Sequence, residues 1–545
     1  MTSDRNPATE RNSPLHSTSL YRTSKGGFMA QNIEAKPAEA GPAVEGPKSP
    51  GATLTQRQIY MVFAGVMAGL ALSALDGTIV STALATIIGD LGGIKYYAWV
   101  GTAYMLTSTT ATPLFGKLSD LYGRRLLFQI AIVTFIVGSL ICGLAQSMWH
   151  LVVARGIQGI GGGGLFALSF AIIGDVVPPR ERGKYVGFIT SIFTISSVLG
   201  PLLGGFIVDN TSWRWIFLIN LPVGIVALII TDRSLRLPFV RHARKIDYIG
   251  ATLLVITVSS LLLGLSWTGE TYGWTSWSTL SFFALAILGT VVFIRWEQST
   301  DEPIIPLDML KLDVVRSVVP MMVLIGAVFF GANTFMPLYL QGVTGVSATN
   351  SGLLLVPLAA AVALSATVSG RITSRTGKYK MWIPLGAITA TGGLFMVSFL
   401  GTSQGYVYVA MIGSFFIGCG MGLIMPTGTL SVQNAVPMHE MGTASSVVIF
   451  MRQLGGAIGL AAYGTLFSSR LSDGIDPELI RAPREIKNLP SPNKEQALEV
   501  LTGAINSVFR AAVPVMLVAF LIALTIPALP LRSTTSINDG TKAAH

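Results

Sequence analysis

Asp76, in the string Leu75-Asp76-Gly77-Thr78-Ile79-Val80, is the one carboxylate that sits well inside an apolar run of this chain. Ionisable groups in such surroundings are costly and carry function by default. Burial penalises the charged form of a carboxyl and a nearby cation favours it, so an acid held between the two can load and release protons. Two plainer roles compete: a fixed structural salt bridge, and a hydrated group near the membrane surface. Arg155 is the candidate partner. In the second half the polar groups inside apolar runs are Asn333, Gln341, Arg452 and Gln453. An arginine near a bilayer midplane without an obvious acid is expensive. Arg452 can therefore touch substrate, a backbone carbonyl or cavity water, or simply brace helices. Asn333, Arg452, Gln453 and Gln158 are the candidate substrate or cavity contacts.

Two glycine-rich strings look like nucleotide sites and are not. Residues 159–164 satisfy G-x-G-x-x-G, but no strand precedes them and no βαβ unit surrounds them. Close helix packing through small residues accounts for them better. Gly370 to Lys378 places six residues between its glycines instead of four, and Tyr379 replaces the Ser/Thr of a phosphate loop. Transport by this chain would draw on an ion gradient or run downhill, with no cofactor and no metal. The two cysteines, Cys142 and Cys419, lie far apart inside apolar runs and read as packing residues.

The elements that must position these groups are membrane spans. The 545 residues are 51% hydrophobic and 12% charged, with mean hydropathy +0.61, whereas soluble domains carry about a quarter charged residues. Fourteen apolar runs lie near 58–84, 96–115, 126–145, 149–173, 185–209, 213–231, 247–267, 276–296, 317–341, 350–371, 381–400, 405–426, 443–467 and 509–531. Each is close to bilayer-spanning length. The net charge of +10 fits orientation in the membrane and not nucleic acid, because the cations cluster in short loops. Loops 116–125, 174–184, 232–246, 295–316 and 371–380 hold 18 Lys and Arg, against Lys95 alone in the short loops opposite. The basic loops and both tails are therefore expected in the cytoplasm. Loop 468–508, with five basic residues on the outer side, is the exception that its length allows. On this topology Asp76 and Arg155 both lie roughly 9–12 Å below the outer face, at 1.5 Å per residue. Equal depth permits contact.

Residues 1–57 read as a disordered tail with no signal-peptide core, and Met29 is a candidate alternative start. An internal repeat organises the rest. Residues 370–378 keep the seven-residue glycine spacing of residues 116–124, with Ser374 in place of Asp120, and Val177-Pro178 onward is echoed by Val436-Pro437 onward. Six spans thus recur after two intervening ones, the parallel repeat of a two-bundle carrier. Ala497, Val500, Leu501, Ala504, Ile505 and Val508 fall on one face of a helix, expected to lie on the outer interface as a spacer before the last span.

Five strings resemble those of one family. Gly116-Lys117-Leu118-Ser119-Asp120-Leu121-Tyr122-Gly123-Arg124-Arg125 joins two apolar runs as a tight hairpin, in which Asp120 can pair with cations or cap the next helix. It resembles the loop between spans 2 and 3 of the major facilitator superfamily. Arg155-Gly156-Ile157-Gln158-Gly159 is similar to the span-4 motif of its proton-coupled members. Gly200-Pro201 with Gly204-Gly205 resembles the motif of its exporting antiporters. Trp213-Arg214-Trp215 through Asn220 and Pro222, and Arg452-Gln453 with Gly455-Gly456, resemble its fourteen-span drug:proton antiporters. Arg214 can also pair with Asp209.

The resemblance implies an all-α membrane protein with two six-helix bundles, residues 58–231 and 317–531. Two inserted helices at 247–296 lie between them, and a cytoplasmic tail follows at 532–545. It implies a multi-pass, monomeric protein of the cell inner (cytoplasmic) membrane that exchanges protons for lipophilic drugs, cationic ones included, or other small toxic amphiphiles. Asp76 and Arg155 would couple protons. Gly116, Asp120, Gly123, Arg124 and Arg125 would form a cytoplasmic gate, and Gly200, Pro201, Gly204 and Gly205 the antiporter motif. Its partners would be the lipid bilayer, substrate and protons. An exporter of an endogenous lipid, peptide or siderophore is the alternative, and a non-transporting sensor a third reading. The chain is not expected to be an enzyme.

Overall fold

In the computed structural model, described residues comprise 56–91, 97–177, 210–235, 247–270, 275–301, 303–346, 348–437, 440–471 and 493–531, with scattered positions between 185 and 208 and Gly273. Most of both predicted tails, Lys95, Pro201 and Asp209 lie outside them, as does much of the fifth apolar run.

Every regular element described is helical. Helices α1 (Gln56–Leu91), α2 (Tyr97–Tyr122), α3 (Arg124–Gly143) and α4 (Met148–Val176) are followed by a short α5 (Trp215–Leu218) and by α6 (Asn220–Ser234). Next come α7 (Tyr248–Glu270) and α8 (Trp277–Ser299), then α9 (Asp313–Leu338) and α10 (Ala348–Leu354). The chain continues through α11 (Val356–Thr376), α12 (Trp382–Val397), α13 (Tyr406–Ala435), α14 (Met441–Leu471) and α15 (Asn493–Thr525). Among the described residues, eleven helical stretches are long and apolar enough to cross a membrane. Apolar side chains also cover the outside: Leu288, Leu364 and Leu521 are each at least 60% exposed. In water such a surface would drive aggregation, and in hydrocarbon it is the solvated face.

The helices sort into groups by contact. Helices α2, α3 and α4 pack on one another and α1 packs on α4 and α6, while α9, α14 and α15 gather with α11 to α13. Helix α7 pairs with α8 and also touches α2 and α14. Leu254, Val258, Leu262 and Phe293 of the α7–α8 pair join the apolar cluster of the later helices. Contacts between the early and late groups run mainly through α14, which lies on α2 and α4.

Small residues set the close crossings. The run Gly159 to Gly164 lies wholly inside α4. A Cβ at Gly161 would sit 2.5 Å from the Phe135 backbone nitrogen, and one at Gly163 would strike the Ser108 carbonyl. Both α2 and α3 therefore meet α4 backbone to backbone, as small-residue faces allow in membranes. Gly163→Val is expected to lower stability by about 1–3 kcal/mol through overpacking, read as a lower thermal unfolding midpoint in detergent.

Two boundaries differ from the sequence reading. Only Gly123, at φ 93°, leaves the helix between α2 and α3. The hairpin at 116–125 is thus two helix ends joined at one residue. Gly377, at φ 72°, terminates α11 in the same register. At the other end, the amphipathic stretch is no spacer on the interface. It forms the first turns of α15, and Ala497, Leu501, Ala504, Ile505 and Val508 are buried in the cluster of the later helices. Its polar residues made it look like a surface helix. Instead they bind inward, with Asn506 Nδ2 donating to the Leu400 carbonyl at 2.7 Å and Arg510 Nε to that of Ser398 at 3.2 Å.

Candidate functional site

Asp76 lies inside the bundle, 0% exposed, and not toward lipid. Its Oδ2 accepts from Arg155 Nη1 at 2.5 Å. Its Oδ1 accepts from Gln158 Nε2 at 2.8 Å and from Asn220 Nδ2 at 3.1 Å. Arg155 also donates to Gln158 Oε1 at 2.7 Å, and its guanidinium lies 4.3 Å from the centre of the Tyr104 ring. Ser139 Oγ accepts from Gln158 and Asn220 while donating to the Phe217 carbonyl at 2.9 Å. Five helices thus converge on one carboxylate: α1 with Asp76, α2 with Tyr104, α3 with Ser139, α4 with Arg155 and Gln158, and α6 with Asn220. A buried ion pair is tolerable when other groups also bond the charges, and here both Asp76 oxygens accept from amides or Arg155, which has a second acceptor in Gln158.

The pairing of Asp76 with Arg155 was legible from equal depth along two spans. Asn220 and Ser139 were missed, although polar side chains in apolar runs were the available signal. Gln158, expected as a substrate contact, is instead occupied by Asp76 and Arg155. Thr78, two residues from Asp76, donates to the Ser196 carbonyl at 3.0 Å, and a Cβ at Gly200 would collide with the Thr78 side chain. Gly200 thus lets the fifth run approach α1 beside the buried acid. Gly204 is buried, whereas a Cβ at Gly205 would meet nothing within 4 Å.

A second cluster joins the early and late helices at one end. Asp120 does not cap α3, whose first residue has no side-chain cap. It pairs with Arg124 at 2.5 Å and accepts from the backbone nitrogen and hydroxyl of Thr443 at 3.1 and 2.7 Å. Thr443 lies in the first turn of α14, so the carboxylate meets unsatisfied N–H groups at the positive end of a helix. Arg124 Nε also donates to Asp175 Oδ2 at 2.7 Å, and its other end reaches Ser119. Arg125 instead pairs with Asp232. Gly116 faces Ser446 so closely that a Cβ there would overlap its side chain. Asp175, Thr443 and Ser446 were not foreseen, being distant in sequence from the hairpin.

Beside this lock opens a cleft of about 760 Å³, bordered by Lys117, Asp120, Asp301, Lys311 and Glu440. Glu297 lines it as a further buried carboxylate, and Asp247 is another. Glu297 stands in the last turn of α8, which runs to Ser299, and so does not lie well inside an apolar run as Asp76 does. Glu297 accepts from the Ile304 and Ile305 backbone nitrogens at 3.3 and 3.2 Å, fixing the turn after α8.

Other expected contacts separate. Arg214 binds Asp90 at 3.2 Å and the Ala145 carbonyl at 3.0 Å. Hydrogen bonds from the Trp213 indole and then Arg214 hold the Asp90 carboxyl below its ordinary value. Asn333 is exposed rather than buried, and donates to the Phe329 carbonyl of its own helix at 2.8 Å. Gln453 is half-buried and accepts from Thr112 Oγ1 at 3.4 Å, across from α14 to α2. Arg452 is buried, 5.5 Å from the centre of the Phe166 ring of α4.

A helical bundle with a bonded acid–base centre on one side of its seam and a charge lock across that seam is the build of a membrane carrier. The comparisons agree. Residues 66–460 match the family described as the Major Facilitator Superfamily. "Multidrug transporter protein MdtP" of Bacillus subtilis (strain 168) is 36% identical over 460 residues, covering 83% of this chain and 84% of that protein. "Multidrug resistance protein 3" of the same organism is 32% identical over 491 residues, with coverage of 86% and 95%. Among solved structures, the human organic anion transporter MFSD10 (TETRAN) is similar with TM-score 0.59 at 16% identity, over 85% of this chain and 99% of that one. The last likeness is one of fold. The chain belongs to the major facilitator superfamily, and is a multi-pass membrane transporter, not an enzyme.

Proposed function

We propose that this protein exports drugs or other small lipophilic amphiphiles in exchange for protons. It would do so from the cytoplasmic membrane, with both termini and the Asp120–Thr443 lock on the cytoplasmic side. The observation that carries the reading is the buried Asp76 held by Arg155, Gln158 and Asn220. Protonation of Asp76 from outside would neutralise it and loosen its hold on Arg155, so the five helices meeting there would repack. Return of the proton to the cytoplasm would restore the pair. An imported proton also carries charge down the membrane potential, worth about 2.3 kcal/mol per 100 mV. The lock on α14 would hold the cytoplasmic side shut during the outward-open phase of a rocking cycle.

Export rather than uptake is favoured by the Gly200 to Gly205 motif and by relatives named for multidrug transport and resistance. The fourteen-span plan, with α7 and α8 as an inserted pair, belongs to the same proposal. Purified protein in proteoliposomes with an acidic lumen should take up dyes or antibiotics from a panel and alkalinise the lumen as it does so. Uptake of every panel member at the protein-free rate would sink the reading. Dye uptake that leaves luminal pH unchanged would leave a carrier without proton exchange.

A further inference from the structure

Three arginines are buried among the described residues: Arg124, Arg155 and Arg452. The first two are matched by carboxylates, Asp120 with Asp175 and Asp76 respectively. Arg452 has no carboxylate and no hydrogen-bond acceptor among the described residues. Among the described residues its one charge-directed side-chain interaction is with the face of Phe166. An aromatic face attracts a guanidinium only weakly compared with an anion, and supplies no acceptor in the plane of its N–H donors.

The position of Arg452 gives this imbalance a use. It stands on α14, the helix that joins the early and late groups, nine residues beyond Thr443 and hence about 13 Å along the helix from the Asp120 lock. The back of α14 is clamped to α9: a Cβ at Gly326 would strike the Arg452 carbonyl, and one at Gly455 the Val323 carbonyl. The side chain meets α4 through Phe166, and the neighbouring Gln453 meets α2 through Thr112. These contacts span the seam that a rocking carrier must open. Phe166 and Phe170, 5.5 Å apart, continue an apolar aromatic wall from the charge. Asp76, by contrast, has both oxygens occupied and offers nothing to a cation.

We infer that the exported molecule is an amphiphile with an anionic head, a carboxylate, sulfonate or phenolate, and that Arg452 receives that head while Phe166 packs against the apolar body. This deepens the export reading and rests on it. It reverses the preference for lipophilic cations that a lone intramembrane acid implies, because that acid is already neutralised by Arg155. An oxyanion would convert an uncompensated guanidinium into a charge-assisted pair, the stronger kind of hydrogen bond and one for which the planar fork is suited.

The test compares 8-anilinonaphthalene-1-sulfonate with ethidium in proteoliposomes of the full chain, by exchange without a gradient and by uptake under an imposed pH step. The wild type should exchange the sulfonate at least tenfold faster than ethidium. Arg452→Gln should lower that ratio at least tenfold, and Arg452→Lys should keep the ratio within about threefold of wild type by retaining the charge. Thermal unfolding of both variants in detergent separates lost recognition from lost folding. Preference of the wild type for ethidium overturns the inference and leaves export intact. An unchanged ratio in Arg452→Gln overturns it too, as does an equal loss for both dyes in both variants, which marks a bracing arginine. Failure of either dye to move under any condition, with the whole panel also inert, removes the export reading and this inference together.

Discussion

Arg155→Gln is expected to strip the protein of much of its stability, and Asp76→Asn made together with it to return most of the loss. Removing one partner of a buried ion pair strands the other charge, at a cost of about 3–5 kcal/mol. In Arg155→Gln the stranded group is Asp76, 0% exposed and left with only amide donors from Gln158 and Asn220. Neutralising both partners removes the desolvation penalty along with the attraction, so the double variant should unfold near the wild-type temperature. Thermal unfolding in detergent of the wild type, both single variants and the double variant closes this cycle. Strictly additive losses would mean that the two side chains do not act as a pair.

Transport separates structure from coupling in the same four proteins. Asp76→Asn keeps the shape of the acid and its bond to Arg155 through one oxygen, but cannot exchange a proton. It should retain gradient-independent exchange of substrate and lose the extra accumulation that a pH step provides, by on the order of tenfold or more, equivalent to about 1.4 kcal/mol of lost drive. Wild-type dye extrusion by Asp76→Asn under a proton gradient would show that coupling resides elsewhere.

Breaking the lock between α2 and α14 should have the second large effect. Asp120 accepts two bonds from Thr443 while paired with Arg124. Hydrogen bonds to charged groups contribute about 1.5–3 kcal/mol each. Asp120→Asn would therefore shift the equilibrium away from the locked state by on the order of 3 kcal/mol, more than a hundredfold in population. Gly116→Val acts on the same state through sterics, since a side chain there would occupy the position of Ser446. In both variants amide hydrogen exchange should accelerate at the end of α2 and the start of α14, and net transport should fall below about a tenth of wild type. Unchanged exchange at those helix ends would mean that the lock does not hold this conformation.

The sequence of this chain by itself determined what depends on local composition and period. Twenty-residue apolar runs specify membrane helices because backbone polar groups must be satisfied within each helix. The second glycine of each seven-residue pair, Gly123 after Gly116 and Gly377 after Gly370, marked a helix end where φ is positive. Equal depth on two runs permitted contact between Asp76 and Arg155, since rise per residue is a local quantity, and the fold makes that contact. The basic hairpin and the strings like it resembled the family to which the chain belongs.

Only the tertiary structure decided which way each helix is rotated and what it meets. Membrane helices are apolar on nearly every side, so their period does not say which face is buried. Asn220 therefore looked like part of a family string until it met Asp76, and Thr443 like an ordinary helix start until it met Asp120. The same rotation exposes Asn333 and spends Gln158 on the ion pair. It also buries the first turns of α15 where a surface helix was expected, and leaves Arg452 facing an aromatic ring instead of an acid. Those outcomes are set by contacts between residues tens to hundreds of positions apart, and the free energy that chooses among them comes from packing and from satisfying buried polar groups, neither of which is written in any one run.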